Sequence, residues 1–451
     1  MEALFERAEE VELCSSANGR SHSSAVPSVM MVGHLDELSL SGISSASSFT
    51  SVTGFSLLFG LAGALETLCG QAYGAEQYQT VRTYTYCAII SLILVCLPIS
   101  FLWMFTDKLL ILIGQDPSIS HVARKYSICL IPNLFSYAIL QALIRYFQTQ
   151  SLILPMLFSS FASLCFHIPL CWALVFKAEM GIIGAALAIS LSYWLNVILL
   201  GLYMKCSSEC EKTRCVFSKD VFFGIREFFR FAVPSAVMTC LEWWSYEVLI
   251  LLSGLLPNPK EETSVLSICF TITYLHYFIP CGFGATASTR VSNELGAGNS
   301  QAAKMAVWAI MVIAITEAII ISTALFFCRH IMGYAFSSEK EIVNYVADMA
   351  PFICLSVIMD CLQSVLSGVA RGSGWQKFGA YVNLGAYYLV GTPVAAVLAF
   401  VLHLRAKGLL IGLATGSCVQ ASLLALRTIF TNWQEHPNPE RGYLRETHTV
   451  D

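Results

Sequence analysis

Residues 342–369 read IVNYVADMAPFICLSVIMDCLQSVLSGV. The stretch is long enough, as a helix, to cross the roughly 30 Å hydrocarbon core of a bilayer, which takes about 20 apolar residues. Yet it carries Asp360 near its middle. An ionisable side chain at that depth costs several kcal/mol unless it faces a cavity or a partner. Ser364, Ser367 and Arg371 follow Asp360 at +4, +7 and +11, spacings that share one helical face. A wet internal stripe on a membrane helix therefore suits a proton or cation site at Asp360.

Ten further stretches qualify as spans, at about 41–68, 84–106, 122–147, 154–177, 181–204, 228–254, 264–290, 302–328, 376–402 and 408–431. The whole chain fits this reading. Of its 451 residues 56% are apolar and 12% charged, half the share of an ordinary soluble domain, which is about 25%. That excludes a soluble enzyme and a disordered protein. With 26 Lys+Arg against 30 Asp+Glu and a formal net charge of −4, there is no basic footprint for a nucleic acid. The chemical partner of this surface is a lipid bilayer.

The chain divides into a polar N-terminal tail (1–28), a first set of spans (29–204), a linker (205–227), a second set (228–432) and a polar tail (433–451). The linker carries Lys205, Lys212, Arg214, Lys219 and Arg226. Its side of the membrane collects more of the basic residues than the other, which makes the linker and C-terminus cytoplasmic. Most of the 17 cysteines lie in apolar runs and read as small buried hydrophobes. Cys206, Cys210 and Cys215 match no zinc spacing. No metal site and no cofactor is expected.

A repeat organises the spans. At one offset of 222 residues Gly282 falls on Gly60, Gly296–Ala297 on Gly74–Ala75, Asn293 on Gln71 and Gln363 on Gln141. The helix over 228–254 then demands a counterpart at about 6–32, where only Val26 to Gly33 is apolar. The reading is an all-α polytopic membrane protein with two pseudo-symmetric six-helix lobes. The first lobe lacks most of its first helix, which leaves about eleven full spans. Two halves of this kind point the same way, related by an axis along the membrane normal.

Other polar groups at membrane depth are candidates. Glu242 sits among aromatics in Cys240-Leu241-Glu242-Trp243-Trp244-Ser245-Tyr246. Trp243 and Tyr246 suit an organic, partly cationic substrate, and a carboxylate in an apolar pocket can exchange a proton near neutral pH. Glu247, about 140° further round the helix, suits helix packing better, as do Glu66 near its helix end and Glu317, for which the sequence names no partner. In the first half Asn133, Tyr137, Gln141 and Arg145 form a stripe spaced by four after Pro132. It either lines a cavity or serves packing. Ala138 occupies the repeat position of Asp360, so acidic chemistry is weighted to the second half. No P-loop, His-Glu-x-x-His or Gly-x-Ser-x-Gly occurs, so neither ATP hydrolysis nor these hydrolase chemistries has its signature, and the chain is not expected to be an enzyme. A lipid-linked oligosaccharide flippase should show a long basic groove, and a membrane enzyme a cluster of His or Asp at one membrane face; neither is evident.

Several motifs converge on one family. Leu65-Glu66-Thr67-Leu68-Cys69-Gly70-Gln71-Ala72-Tyr73-Gly74-Ala75, Val291-Ser292-Asn293-Glu294-Leu295-Gly296-Ala297-Gly298, Val369-Ala370-Arg371-Gly372-Ser373-Gly374-Trp375-Gln376 and Cys240-Leu241-Glu242-Trp243-Trp244 resemble plant MATE (multidrug and toxin extrusion) transporters of the DETOXIFICATION group. The resemblance covers about residues 29–435. It implies twelve helices in two lobes and antiport of small organic compounds, xenobiotics or secondary metabolites, against protons by alternating access. It places proton coupling on Glu242 and Asp360. Substrate-cavity candidates are Trp243, Tyr246, Tyr137, Asn133, Gln141, Gln363 and Ser364. A monomer in the plasma or vacuolar membrane is implied. The truncated first helix raises the alternative of a transport-inactive variant with a regulatory role or none.

Overall fold

The computed structural model describes residues 28, 31–32, 37–214, 221–336 and 339–434. All regular structure among them is helical. Ten helices are long and apolar enough to cross a membrane. They are α1 (Leu38–Gly74), α2 (Tyr78–Trp103), α4 (Ile153–Lys177), α5 (Gly181–Cys206), α6 (Gly224–Ser253), α7 (Glu261–Gly296), α8 (Ser300–Phe327), α9 (Lys340–Gly372), α10 (Gln376–Val401) and α11 (Arg405–Phe430). The eleventh, α3, is a pair, Pro117–Cys129 and Ile131–Thr149, bent by 50° at the break.

The eleven expected stretches thus fall on these eleven elements, with one refinement. The span expected over 122–147 is broken rather than continuous. Pro132 occupies the first turn after the break, where its missing N–H cannot continue the ladder of the preceding helix. The indole of Trp194 donates instead to the Pro132 carbonyl (3.2 Å). Proline also accompanies widened turns elsewhere. In α10 the backbone widens to i→i+5 bonding over Leu384–Gly391, just ahead of Pro393, and the Thr392 hydroxyl donates to the Tyr387 carbonyl (2.8 Å).

The described residues form two compact units, one ending at Ala236 and one beginning at Val237. The core of the first is built on Trp103, Leu134, Tyr146 and Phe147. The second has three smaller apolar clusters, one of which joins Leu266, Ile353 and Leu409. The outside is apolar too. Met305, Trp308, Val312 and Ile319 lie exposed along one face of α8, a surface suited to lipid rather than water.

After α5 the chain turns back onto the first unit. Tyr146 Oη and Thr213 Oγ1 lie 2.7 Å apart, and the Thr213 hydroxyl reaches Gln150 Oε1 at 2.7 Å. Cys210 is buried there, and burial pushes its thiol up, away from the reactive thiolate; Cys206 is exposed. Cys215, Lys219, the acidic N-terminal tail and the C-terminal tail beyond residue 434 lie outside the described residues. So does the Val26–Gly33 segment, except for Ser28, Met31 and Val32.

Candidate functional site

The second unit brings its two favoured acids together. Glu242 on α6 and Asp360 on α9 are both buried, with 8% and 6% of their surface exposed. Asp360 lies within the electrostatic field of Glu242. Around Glu242 stand the side chains of Gln363, Asn383 and Gln420 as hydrogen-bonding neighbours, with the Arg371 guanidinium as the nearby positive charge. Tyr246 and Tyr277 sit within the same field. The Tyr246 ring also meets Phe270 edge-on at 5.5 Å. Trp243 is half-buried and Trp244 exposed.

A continuous polar network holds this group. The Gln420 amide donates to Asn383 Oδ1 (2.8 Å) and more loosely to Ser367 Oγ (3.4 Å). Asn383 donates in turn to the Met238 carbonyl (2.8 Å), one turn before Glu242. Gln363 reaches Ser367 at 3.5 Å. Buried polar groups are tolerable only when paired, and this network pairs donors from α9, α10 and α11 with acceptors from α6, α9, α10 and α11. Of the predicted stripe, Ser367 joins it. Ser364 instead donates its hydrogen to the Pro280 carbonyl of α7 (2.7 Å) and so serves helix contact.

Close backbone approach fixes where α9 presents Asp360. A Cβ on Gly368 would overlap the Gly284 carbonyl oxygen, and one on Gly372 would lie 2.5 Å from that of Ser288. Small residues four apart on both helices let α7 and α9 touch through their backbones, the usual way helices associate tightly in lipid.

The remaining acids separate by role. Glu317 of α8 acquires the partners its sequence context did not name. His276 Nε2 lies 3.0 Å from its Oε1, and the Cys361 thiol donates to its Oε2 at 3.2 Å. Among the described residues these three form the one group of at least three potential metal-ligating side chains, within 4.8 Å of one another. Glu247 is half-buried on another face of α6. Glu262, not singled out from the sequence, is wholly buried. It accepts from Tyr345 Oη (2.9 Å) and the Ala406 N–H (3.0 Å) and pairs with Arg405 (3.4 Å), so it anchors the start of α11.

In the first unit the predicted stripe is buried throughout. Tyr137 packs its ring against Phe55 and Tyr193 (centroids 5.0 and 6.2 Å). Asn133 accepts at 3.3 Å from Ser136. Gln141 Oε1 has no hydrogen-bond partner among the described residues. Arg145 forms an ion pair with Glu66 at 3.0 Å, both side chains almost fully buried. Its guanidinium also lies 4.8 Å from the centre of the Phe59 ring and donates to Gln148 (3.0 Å). Glu66 therefore bonds between helices. A second buried polar site involves Ser28, whose Oγ lies 3.0 Å from His167 Nε2, while His167 Nδ1 lies 3.0 Å from Ser192 Oγ. The Ser192 hydrogen is committed to the Ala188 carbonyl (2.7 Å). In the neutral ring Nδ1 then carries the proton, and Ser28 donates to Nε2.

Asn383, Tyr387, Ser417 and Gln420 were missed in the sequence. The available signal was amide and hydroxyl groups standing inside the apolar runs of α10 and α11.

Comparisons with known proteins bear on this arrangement. A family model described as MatE matches two stretches, residues 23–173 and 234–397. The chain is 58% identical over 416 residues to Protein DETOXIFICATION 14 of Arabidopsis thaliana, covering 92% of this chain and 86% of that protein. To Protein DETOXIFICATION 12 of the same plant it is 55% identical over 419 residues, covering 93% and 87%. The crystal structure of the eukaryotic MATE transporter AtDTX14 superposes with a TM-score of 0.91 at 55% identity, over 96% of this chain and 98% of that one. An outward-facing multidrug resistance MATE family transporter of the MOP superfamily gives 0.84 at 14% identity over 94% of each chain, a likeness of fold alone.

Proposed function

This chain belongs to the MatE family, and we propose that within it the protein is a proton-coupled antiporter of small organic compounds. It is an integral, multi-pass membrane transporter and not an enzyme. The proposal adds the coupling ion, the substrate class and the residues. The observation that carries it is the pair Glu242 and Asp360. Two buried acids of the same unit, Glu242 on α6 and Asp360 on α9, stand with a network of uncharged hydrogen-bonding groups around Glu242.

Two negative charges at membrane depth demand neutralisation. A proton can supply it, and so can a cationic or polar organic substrate, but both cannot occupy the same carboxylates. Trp243 and Tyr246 offer ring faces beside Glu242 for an organic cation. Gln363 offers an amide. In the first half Tyr137, Asn133 and Gln141 offer hydrogen bonding, and Gln141 Oε1, without a partner among the described residues, is the clearest of these. Protonation removes the charge that holds substrate and favours the conformation open to the other side. The protein acts as a single chain, exporting substrate across the plasma membrane or sequestering it across the vacuolar membrane. Glu247, Glu317 and Glu66 serve structure rather than coupling.

The test is uptake of a fluorescent organic cation into vesicles carrying the full chain under an imposed pH gradient. Uptake that follows the gradient, and is lost in Glu242→Gln and Asp360→Asn, supports the reading. Uptake indifferent to the gradient overturns it.

A further inference from the structure

We propose that His276, Glu317 and Cys361 form a binding site for one zinc ion. Three helices, α7, α8 and α9, each contribute one donor, and the three donors are an imidazole nitrogen, a carboxylate oxygen and a sulfur. That set is the one zinc prefers, and three protein ligands leave the fourth tetrahedral position to a water. The site adjoins Asp360 through Cys361, but the proposal does not depend on the transport reading.

The geometry needs little change. Zinc bonds of about 2.0–2.2 Å to nitrogen and oxygen and about 2.3 Å to sulfur separate tetrahedral ligands by roughly 3.2–3.7 Å. The present spacings are 3.0 Å from His276 Nε2 to Glu317 Oε1 and 3.2 Å from Cys361 Sγ to Glu317 Oε2. One ligand atom from each of the three side chains lies within 4.8 Å of the other two, so the widest pair closes by about 1 Å as the metal enters. The ring is free to make that adjustment. His276 Nδ1 has no partner among the described residues, so Glu317 is the only hydrogen-bonding anchor of the imidazole. A second opening lies at Glu317, the most exposed of the three.

Charge supplies the driving force. Without metal, Glu317 stands inside a membrane helix, served by a thiol and an imidazole. With metal, the thiol proton leaves to solvent and the Nε2 hydrogen is replaced by one on Nδ1, available to a water. Zn²⁺, one thiolate, one carboxylate and a neutral imidazole sum to zero. An electroneutral centre avoids the cost of an isolated charge at that depth. Packing alone would be served by apolar side chains at all three positions.

The full chain, purified in detergent and stripped with a chelator, is equilibrated with buffered zinc and its metal content measured. Zinc held by other cysteines is common to every variant and cancels in the comparison. The expected result is one equivalent more zinc in the wild-type chain than in Cys361→Ser, His276→Ala or Glu317→Gln, each checked for an unchanged melting profile without metal. Equal content in all four chains, or none in the wild type, overturns the proposal. Where the ligand variants fail to fold, the wild-type chain decides. Zinc must raise its unfolding temperature, and cadmium must give a thiolate charge-transfer band in the ultraviolet. Absence of either overturns the site.

Discussion

Tyr387 donates its phenol hydrogen to Gln420 Oε1 at 2.6 Å, and the amide nitrogen of the same Gln420 donates to Asn383 at 2.8 Å. Gln420 is therefore the joint between α10 and α11, and through Asn383 it reaches the carbonyl one turn before Glu242. Replacing it leaves a buried phenol and a buried amide oxygen short of partners. Each such group costs about 1–3 kcal/mol. Gln420→Leu is expected to lower the unfolding temperature and to reduce transport more than Gln420→Glu does in acid, where a protonated glutamate can still donate. Thermal unfolding in detergent, with uptake measured alongside, checks both.

The contact of α7 with α9 sets a steric prediction. A methyl group at Gly368 would overlap Gly284's carbonyl, so the helices must separate. Gly368→Ala is expected to destabilise by about 1–3 kcal/mol, as overpacking usually does. It should also shift Asp360, two turns away on the same helix. Gly385→Ala, on α10 with open space around its Cβ position, is the control. Equal melting temperatures for the two variants would contradict the packing argument.

The Glu66–Arg145 pair makes an asymmetric prediction. Removing one partner leaves the other charged and buried, a loss of about 3–5 kcal/mol. Removing both leaves no orphan charge. Glu66→Gln should therefore unfold at lower temperature than the double variant Glu66→Gln/Arg145→Met. The reverse order would show that Arg145 finds another acceptor.

Ser28 gives a local test of the first half. Ser28→Ala removes the donor to His167 Nε2 and strands a buried acceptor, a loss of about 1–3 kcal/mol. Nitrogen shifts of the imidazole by nuclear magnetic resonance are expected to show a protonated Nδ1 and an accepting Nε2 in the wild-type chain; a protonated Nε2 there would refute the tautomer assigned above.

Much of this organisation is legible along the chain, because apolar run length reports a membrane span almost directly. Asp360 and Glu242 stand out because a charge inside such a run needs a cavity or a partner, the same need that Glu66 meets with Arg145. What spacing cannot report is the rotation of one helix against another. Glu66 and Arg145 were both noticed, in different spans, but nothing in either span says they face each other. Glu317 was seen without His276 and Cys361, which come from two other helices. Ser364 shares a face with Asp360 along α9, yet the Pro280 carbonyl of α7 claims its hydrogen. The break in α3 was legible only as a proline, since a proline marks where a helix can bend but not by how much.

The central claim is that protons and substrate compete for Glu242 and Asp360, and equilibrium binding tests it without vesicles. The affinity of the purified full chain for an organic cation is measured as a function of pH. The account predicts that affinity falls as pH falls in the wild-type chain, because protonation removes the holding charge. It predicts weak, pH-independent binding in the folded Glu242→Gln/Asp360→Asn double variant. A double variant that binds the cation as tightly as the wild type, with the same pH dependence, would contradict it.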